Sequence, residues 1–165
     1  MKKEPLQANA LKNIMRRIPY PVTIVTAAFA DSKRGITIGS FTSLSLDPPL
    51  ISFNVGRESQ MHELIINTGH FAVHIPDAGQ ENLCNRFAIP DLTDKQQFED
   101  VKHEMHSLGV PLIKDVSAVL ICKSHSIVEA GDHSLVIGEI VESDQFKQDP
   151  AIIYFDGRYY ELEEK

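Results

Sequence analysis

Apolar and polar positions along most of this 165-residue chain alternate with the period of two expected of half-buried strands, and three stretches break into helical spacing. Leu11, Ile14, Met15 and Ile18 recur at i, i+3, i+4 and i+7, which predicts an amphipathic helix over residues 7–17 within an N-terminal segment 1–19. Pro19 ends it, and Arg16 and Arg17 stand in its last turn, where cations complement the helix dipole. Residues 60–67 form a second short helix, with Ser59 as N-cap and Thr68-Gly69 as stop. Asp77, with Gln80 three residues on, predicts a capped third helix running through Phe87.

Between these lie the strands. Residues 22–29 are β-branched and apolar, and 50–55 place Ile51, Phe53 and Val55 on one side. The stretch between them opens with a turn over 31–35. Residues 70–75 alternate, 116–128 form a long strand, and Gly131-Asp132 turns the chain back along a partner strand to Val141. Asp156-Gly157 closes a last hairpin between 151–155 and 158–162. From 89 to 117 strand signals give way to polar residues, prolines and a glycine. A connection this long usually covers something, so it is read as a partly helical excursion over the barrel or a partner subunit. Residues 1–165 make one domain, long enough to bury a core without staples.

The chemistry concentrates in residues 35–50. From Ile36 to Leu46 there is no formal charge, yet Thr37, Ser40, Thr42, Ser43 and Ser45 set five hydroxyls among aliphatic residues. Each hydroxyl desolvated without a partner would cost about 1–3 kcal/mol. A neutral planar ligand edge, such as the rim of a flavin ring, would supply partners. The alternative is a Ser/Thr-rich edge strand running into the Pro48-Pro49 turn.

Bulk properties narrow the classes. A formal charge of −7 argues against nucleic acid and against an anionic membrane surface. No apolar run approaches the roughly 20 residues of a membrane helix, and the N-terminus lacks the apolar core of a secretory signal. Cys84 and Cys122 stand apart without CxxC spacing and read as free buried thiols of a cytoplasmic protein. His103 and His106 sit one residue short of the i, i+4 spacing of a zinc helix and read as solvated; no metal is expected.

The run 35–50 resembles the G-x-T-x-x-S-F-T-S-x-S-L-D-P-P-L signature of the flavin reductase-like family. Gly131-Asp132-His133, followed by Gly138 and Val141, resembles that family's second signature, and Arg86-Phe87-Ala88 and the closing Gly157-Arg158-Tyr159 hairpin resemble further elements. The resemblance spans 22–162. It implies a mainly β protein with peripheral helices, an antiparallel Greek-key split β-barrel of the FMN-binding type, usually a homodimer with flavin near the subunit interface. It also implies an NAD(P)H-dependent flavin reductase that transfers hydride from reduced nicotinamide to FMN, or to FAD, and that supplies reduced flavin to a partner monooxygenase. On that basis Thr37, Ser40, Phe41, Thr42, Ser43 and Ser45 are assigned to the flavin. Arg57, Ser59 and Arg86 are assigned to its phosphate and polar tail, and His133 to positioning the nicotinamide. Glu58 and Met61 depart from the hydroxyl residues the family often has there. Two other readings stand beside this one: a flavin-binding electron carrier with no nicotinamide site, and a split barrel turned to another cofactor such as haem. An N-cap beside a surface arginine remains the alternative at Ser59 and Arg57, and an exposed helix-end arginine at Arg86. A turn histidine is the alternative at His133.

Overall fold

The computed structural model describes residues 8–146 and 149–162. The chain opens on α1 (Ala8–Met15) and a short strand β1 (Tyr20–Pro21), then runs through β2 (Thr23–Phe29), β3 (Ser32–Ile38), β4 (Thr42–Leu46) and β5 (Pro49–Gly56). Helix α2 (Gln60–Thr68) and β6 (His70–Ile75) follow, then α3 (Glu81–Ala88), α4 (Asp94–Phe98) and a hairpin of β7 (His103–Met105) and β8 (Pro111–Ile113). Two long strands, β9 (Ala118–Ala130) and β10 (His133–Gln145), lead to the closing hairpin of β11 (Ile152–Phe155) and β12 (Arg158–Glu161).

Seven strands pair antiparallel in the order β3-β2-β6-β9-β10-β5-β4. Strands β3 and β4 are neighbours in sequence yet occupy the two opposite edges. Residues 39–41 carry the chain across, and the Asn54 N–H donates to Ser40 Oγ at 2.9 Å, tying this crossover to β5. The sheet thus curls until its edges meet without a continuous ladder, which is the expected Greek-key split barrel with peripheral helices. The hydroxyl-rich run is the seam of that barrel.

Two apolar clusters explain the curl. Val25, Ala27, Phe53, Val55, Phe71, Val73 and Val136 fill the barrel, and α2 adds Met61, Leu64 and Ile65. The opposite faces of β2, β6 and β9 send Ile24, Ala72, Val119 and Ile121 outward, where α3 and the 89–117 excursion cover them with Cys84, Phe87, Phe98, Val110 and Ile113. Strands buried on both faces read as continuous apolar runs, as 22–29 does. The excursion therefore lies over the barrel, with five helical residues and a small hairpin where no strand was expected.

The structure corrects four further expectations. The turn is narrower than 31–35: it is Ala30 and Asp31, Phe29 pairs with Ser32, and β3 has already begun there. Ser32 Oγ and the Lys33 N–H both donate to Asp94 Oδ2, at 2.7 and 3.1 Å, so polar residues that read as a loop are strand residues with distant partners. Asp77 does not cap α3, which starts at Glu81 with no side-chain cap; its buried carboxylate instead accepts from Ser117 Oγ. The histidines of 103–106 are not solvated. The His103 ring packs on Phe98 with Nε2 2.6 Å from Lys33 Nζ, and His106 faces Glu142 at 3.3 Å. The first helix is also shorter than 7–17, and the part of segment 1–19 before residue 8 lies outside the described residues.

Candidate active site

Strand β5 organises the site. On one side Thr42 stands opposite Ser52 and Ser43 opposite Ile51, so the exposed hydroxyls of β4 line that edge. Ser40 is held at Asn54, and on the other side of β5 His133 pairs opposite Gly56. Two residues of strand separate Asn54 from Gly56, about 7 Å. Of the first signature only Ser40 comes to the C-terminal end of β5 near His133; Thr42, Ser43 and Ser45 stand opposite Ser52, Ile51 and Leu50, towards the start of that strand. Ser45 and Phe41 are half-buried at the same seam, with Phe41 packed against the barrel core.

Past Gly56 the chain turns into α2. Ser59 caps the helix in extended conformation, its Oγ accepting the His62 N–H at 3.2 Å and donating to Gly56 O at 2.7 Å. The Arg57 N–H donates to Asp132 O at 3.0 Å, which straps this turn to the hairpin that carries His133. The Arg57 guanidinium lies 3.3 Å from Glu129, and His133 Nδ1 lies 2.8 Å from Asp132 Oδ1. That hydrogen bond from His133, reinforced by its charge, holds the Asp132 carboxyl below its usual range. The His133 ring is half exposed and open to solvent at the mouth.

Two assigned residues point elsewhere. Thr37 Oγ1 donates to Cys84 O at 2.6 Å and so fastens β3 to α3, although Thr37 also lines a cleft of about 260 Å³ with Gly39, Tyr20, Tyr154 and Tyr159. Arg86 donates to Gln96 O at 3.4 Å and to Glu99 O, tying α3 to the end of α4. Both thiols are buried, and burial pushes Cys84 and Cys122 up to about 12, so neither is a nucleophile near neutrality.

Sequence reasoning passed over three residues that shape the site. His62 Nε2 meets the fully buried Ser134 Oγ at 2.9 Å and locks the first turn of α2 to β10. Arg34 is 6% exposed and holds Pro90 O, Leu92 O and Asp94. Burial alone would raise Asp94, but hydrogen bonds from Ser32, Arg34 and the Lys33 N–H outweigh it and hold the carboxyl low. Gln97 is buried and grips Gly35 with both ends of its amide, Oε1 accepting the Gly35 N–H at 3.1 Å and Nε2 donating to Gly35 O at 3.2 Å. A glutamine in a polar run gives no signal of this; the partner is 62 residues away. Gly35 itself is required by packing, because a Cβ there would stand 2.6 Å from Phe87 Cε1. Gly35→Ala is expected to destabilise the fold by about 1–3 kcal/mol through overpacking, read by urea unfolding.

Two adjoining clefts, of about 790 and 300 Å³, run from the α2 start towards residues 90–95 and share Arg34, Gln60, Pro90 and Asp91. Among the described residues no group of three or more His, Cys, Asp or Glu side chains is arranged to hold a metal. Nor, among the described residues, is any helix long and apolar enough to cross a membrane.

An antiparallel split barrel whose seam carries neutral hydroxyls beside a Gly-Asp-His turn defines a class of small flavin-handling proteins. The flavin reductase like domain model matches residues 15–163, and the chain belongs to that family. It is 36% identical over 147 residues to a flavin reductase of Pseudomonas putida, covering 88% of this chain and 85% of that one. It is 30% identical to the reductase component of 4-hydroxyphenylacetate 3-monooxygenase of Thermus thermophilus, over 93% of this chain and 95% of the relative. The solved NADH:FAD oxidoreductase SgcE6 of Streptomyces globisporus superposes with a TM-score of 0.87 at 32% identity, over 98% and 96% of the two chains.

Proposed function

We propose that this protein is an NAD(P)H-dependent flavin reductase, binding FMN or FAD at the barrel seam and reduced nicotinamide beside it. The observation that carries the reading is that strand β5 holds both signatures, the hydroxyl run along one side with Ser40 at Asn54, and His133 opposite Gly56 on the other. The donor set fits a flavin ring: Ser40, Thr42, Ser43 and Ser45 with neighbouring backbone amides offer neutral donors and acceptors and set no fixed charge against it. Bound flavin supplies the chemistry by accepting the hydride of the nicotinamide.

The chain's own contribution is positioning, which can be worth about 7–11 kcal/mol when two reactants are held at attack distance. Hydroxyl and amide donors along a pyrimidine edge stabilise negative charge that grows there. Phe41 anchors the seam to the core, and His62 with Ser134 keeps the α2 turn in register with β10. His133 walls the open side, where a nicotinamide docks, and no base is needed at that ring. Arg86 is left as a support of α3, and Thr37 works through its strand, since its hydroxyl is already given to Cys84 O.

Purified protein should accelerate NADH or NADPH oxidation in the presence of FMN; no stimulation over free flavin would overturn the reading. His133→Ala should raise KM for the nicotinamide roughly tenfold, the scale of one lost contact, while FMN affinity measured by fluorescence stays level. An unchanged KM would remove His133 from the pocket. Leu44 and Leu46 are exposed on the edge strand β4, beside the hydroxyls, and a second copy of the chain is the proposed cover. Delivery of reduced flavin to a separate monooxygenase is the proposed physiological role, supported by the T. thermophilus relative.

A further inference from the structure

We infer that this chain selects flavins by their ring and not by their phosphate, and that Glu58 sets this selection, so that riboflavin is bound about as well as FMN. The inference rests on the flavin reductase reading and deepens it to the class of flavin accepted.

The turn that the family resemblance assigns to a flavin phosphate is residues 57–59, and its Ser59 hydroxyl and the Arg57 and Ser59 amides are already engaged. The single proton of the Ser59 hydroxyl goes to Gly56 O, while its lone pair takes the His62 N–H. Two guanidinium groups, Arg57 and Arg34, stand at this turn and its clefts, Arg86 lines a separate cleft, and each has partners. Arg34 is buried and spread over Pro90 O, Leu92 O and Asp94. Arg86 holds Gln96 O and Glu99 O. Arg57 faces Glu129 at 3.3 Å in an exposed, weak pair, and Glu58 adjoins it in the chain.

The cleft walls add repulsion. Glu58 and Asp91 line the smaller cleft with Ser59 and Met61, and Glu63 and Asp94 line the larger one. Arg34 and Asp94 pair with each other, which leaves Glu58, Glu63 and Asp91 against the single cation Lys95 in the two clefts. A phosphate monoester carries about −1.5 to −2 charges near neutrality. Placed here it meets a net negative wall on a chain of net charge −7. The ring subsite fits its ligand and the phosphate subsite does not. Riboflavin, which keeps the ring and lacks the phosphate, avoids the penalty.

The test is a fluorescence titration of the full-length protein with riboflavin and with FMN, at low and at high sodium chloride, repeated on Glu58→Gln. The two dissociation constants should agree within about threefold, and FMN binding should hold or tighten as salt screens the repulsion. Riboflavin, being uncharged, should not respond to salt. Glu58→Gln should tighten FMN about three- to tenfold relative to riboflavin. The kcat/KM ratio of the two flavins should move in the same direction. FMN bound more than tenfold tighter than riboflavin, with affinity falling as salt rises, would overturn the inference, since that is the behaviour of a cationic phosphate clamp. An FMN-to-riboflavin ratio unmoved by Glu58→Gln would do so as well. If neither flavin binds, the flavin reductase reading itself falls and takes this inference with it.

Discussion

Cutting Phe71 back to alanine should lower the unfolding free energy by about 3–5 kcal/mol, the largest single-residue effect expected in this protein. Phe71 is fully buried and meets the Phe53 ring edge-on, with centroids 5.3 Å apart at 83°. Its ring also occupies the space where a side chain at residue 138 would stand: a Cβ on Gly138 would come within 3.2 Å of Phe71 Cε2 and 3.3 Å of Cys122 Cβ. The glycine of the second family-like signature is thus required by core packing. Gly138→Ala should cost about 1–3 kcal/mol alone and much less in a Phe71→Leu background, because the two sites share one volume. Additive costs in the double variant, measured by urea unfolding, would show that the ring and the glycine are independent.

The second large effect is a loss of stability in mild acid. His74 is completely buried; Nδ1 lies 3.0 Å from Ile24 O, and Nε2 accepts the Ile113 N–H at 3.0 Å. That pairing assigns a neutral ring with its proton on Nδ1. Burial pulls its pKa from 6.5 down to about 4, against a smaller upward pull from the hydrogen bond to Ile24. The folded state therefore binds a proton less readily than the unfolded chain. The contribution is fully present above pH 6.5 and is lost as pH falls towards 4. At about 1.4 kcal/mol per unit, this window is worth about 3 kcal/mol. Urea unfolding at pH 7 and at pH 4.5 should show the fall. Asp94 and Asp132, held low by their partners, lose stabilising interactions on acidification in the same direction. The difference between the protein and His74→Gln therefore isolates the histidine. The variant should be less stable at pH 7, with two buried backbone groups deprived of their partner, and visibly flatter with pH. An equal pH slope in both would rule out His74 as the source.

What the sequence made legible was local. The Ser59 cap, the stop at Gly69, and the Asp156-Gly157 turn between β11 and β12 depend on neighbours within a few residues, and each stands where the pattern put it. The alternation of 50–55 and the family-like frame around His133 were legible for the same reason, and together they identified strand β5 and its partner β10. The errors arose where a polar residue answers to a remote one. Ser32 and Lys33 read as loop because Asp94 was out of view, and His103 read as solvated because Lys33 and Phe98 were. Arg86 carried the right element but its guanidinium is spent on the excursion that no periodicity described.

The two free margins of the curled sheet differ in kind. Along β3 the outward amides of Lys33 and Gly35 are plugged by Asp94 and Gln97, side chains that imitate a neighbouring strand and leave nothing for another molecule to zip onto. β4 carries no such plug among the described residues. Any strand added to this sheet from outside would therefore have to pair along β4 and not along β3.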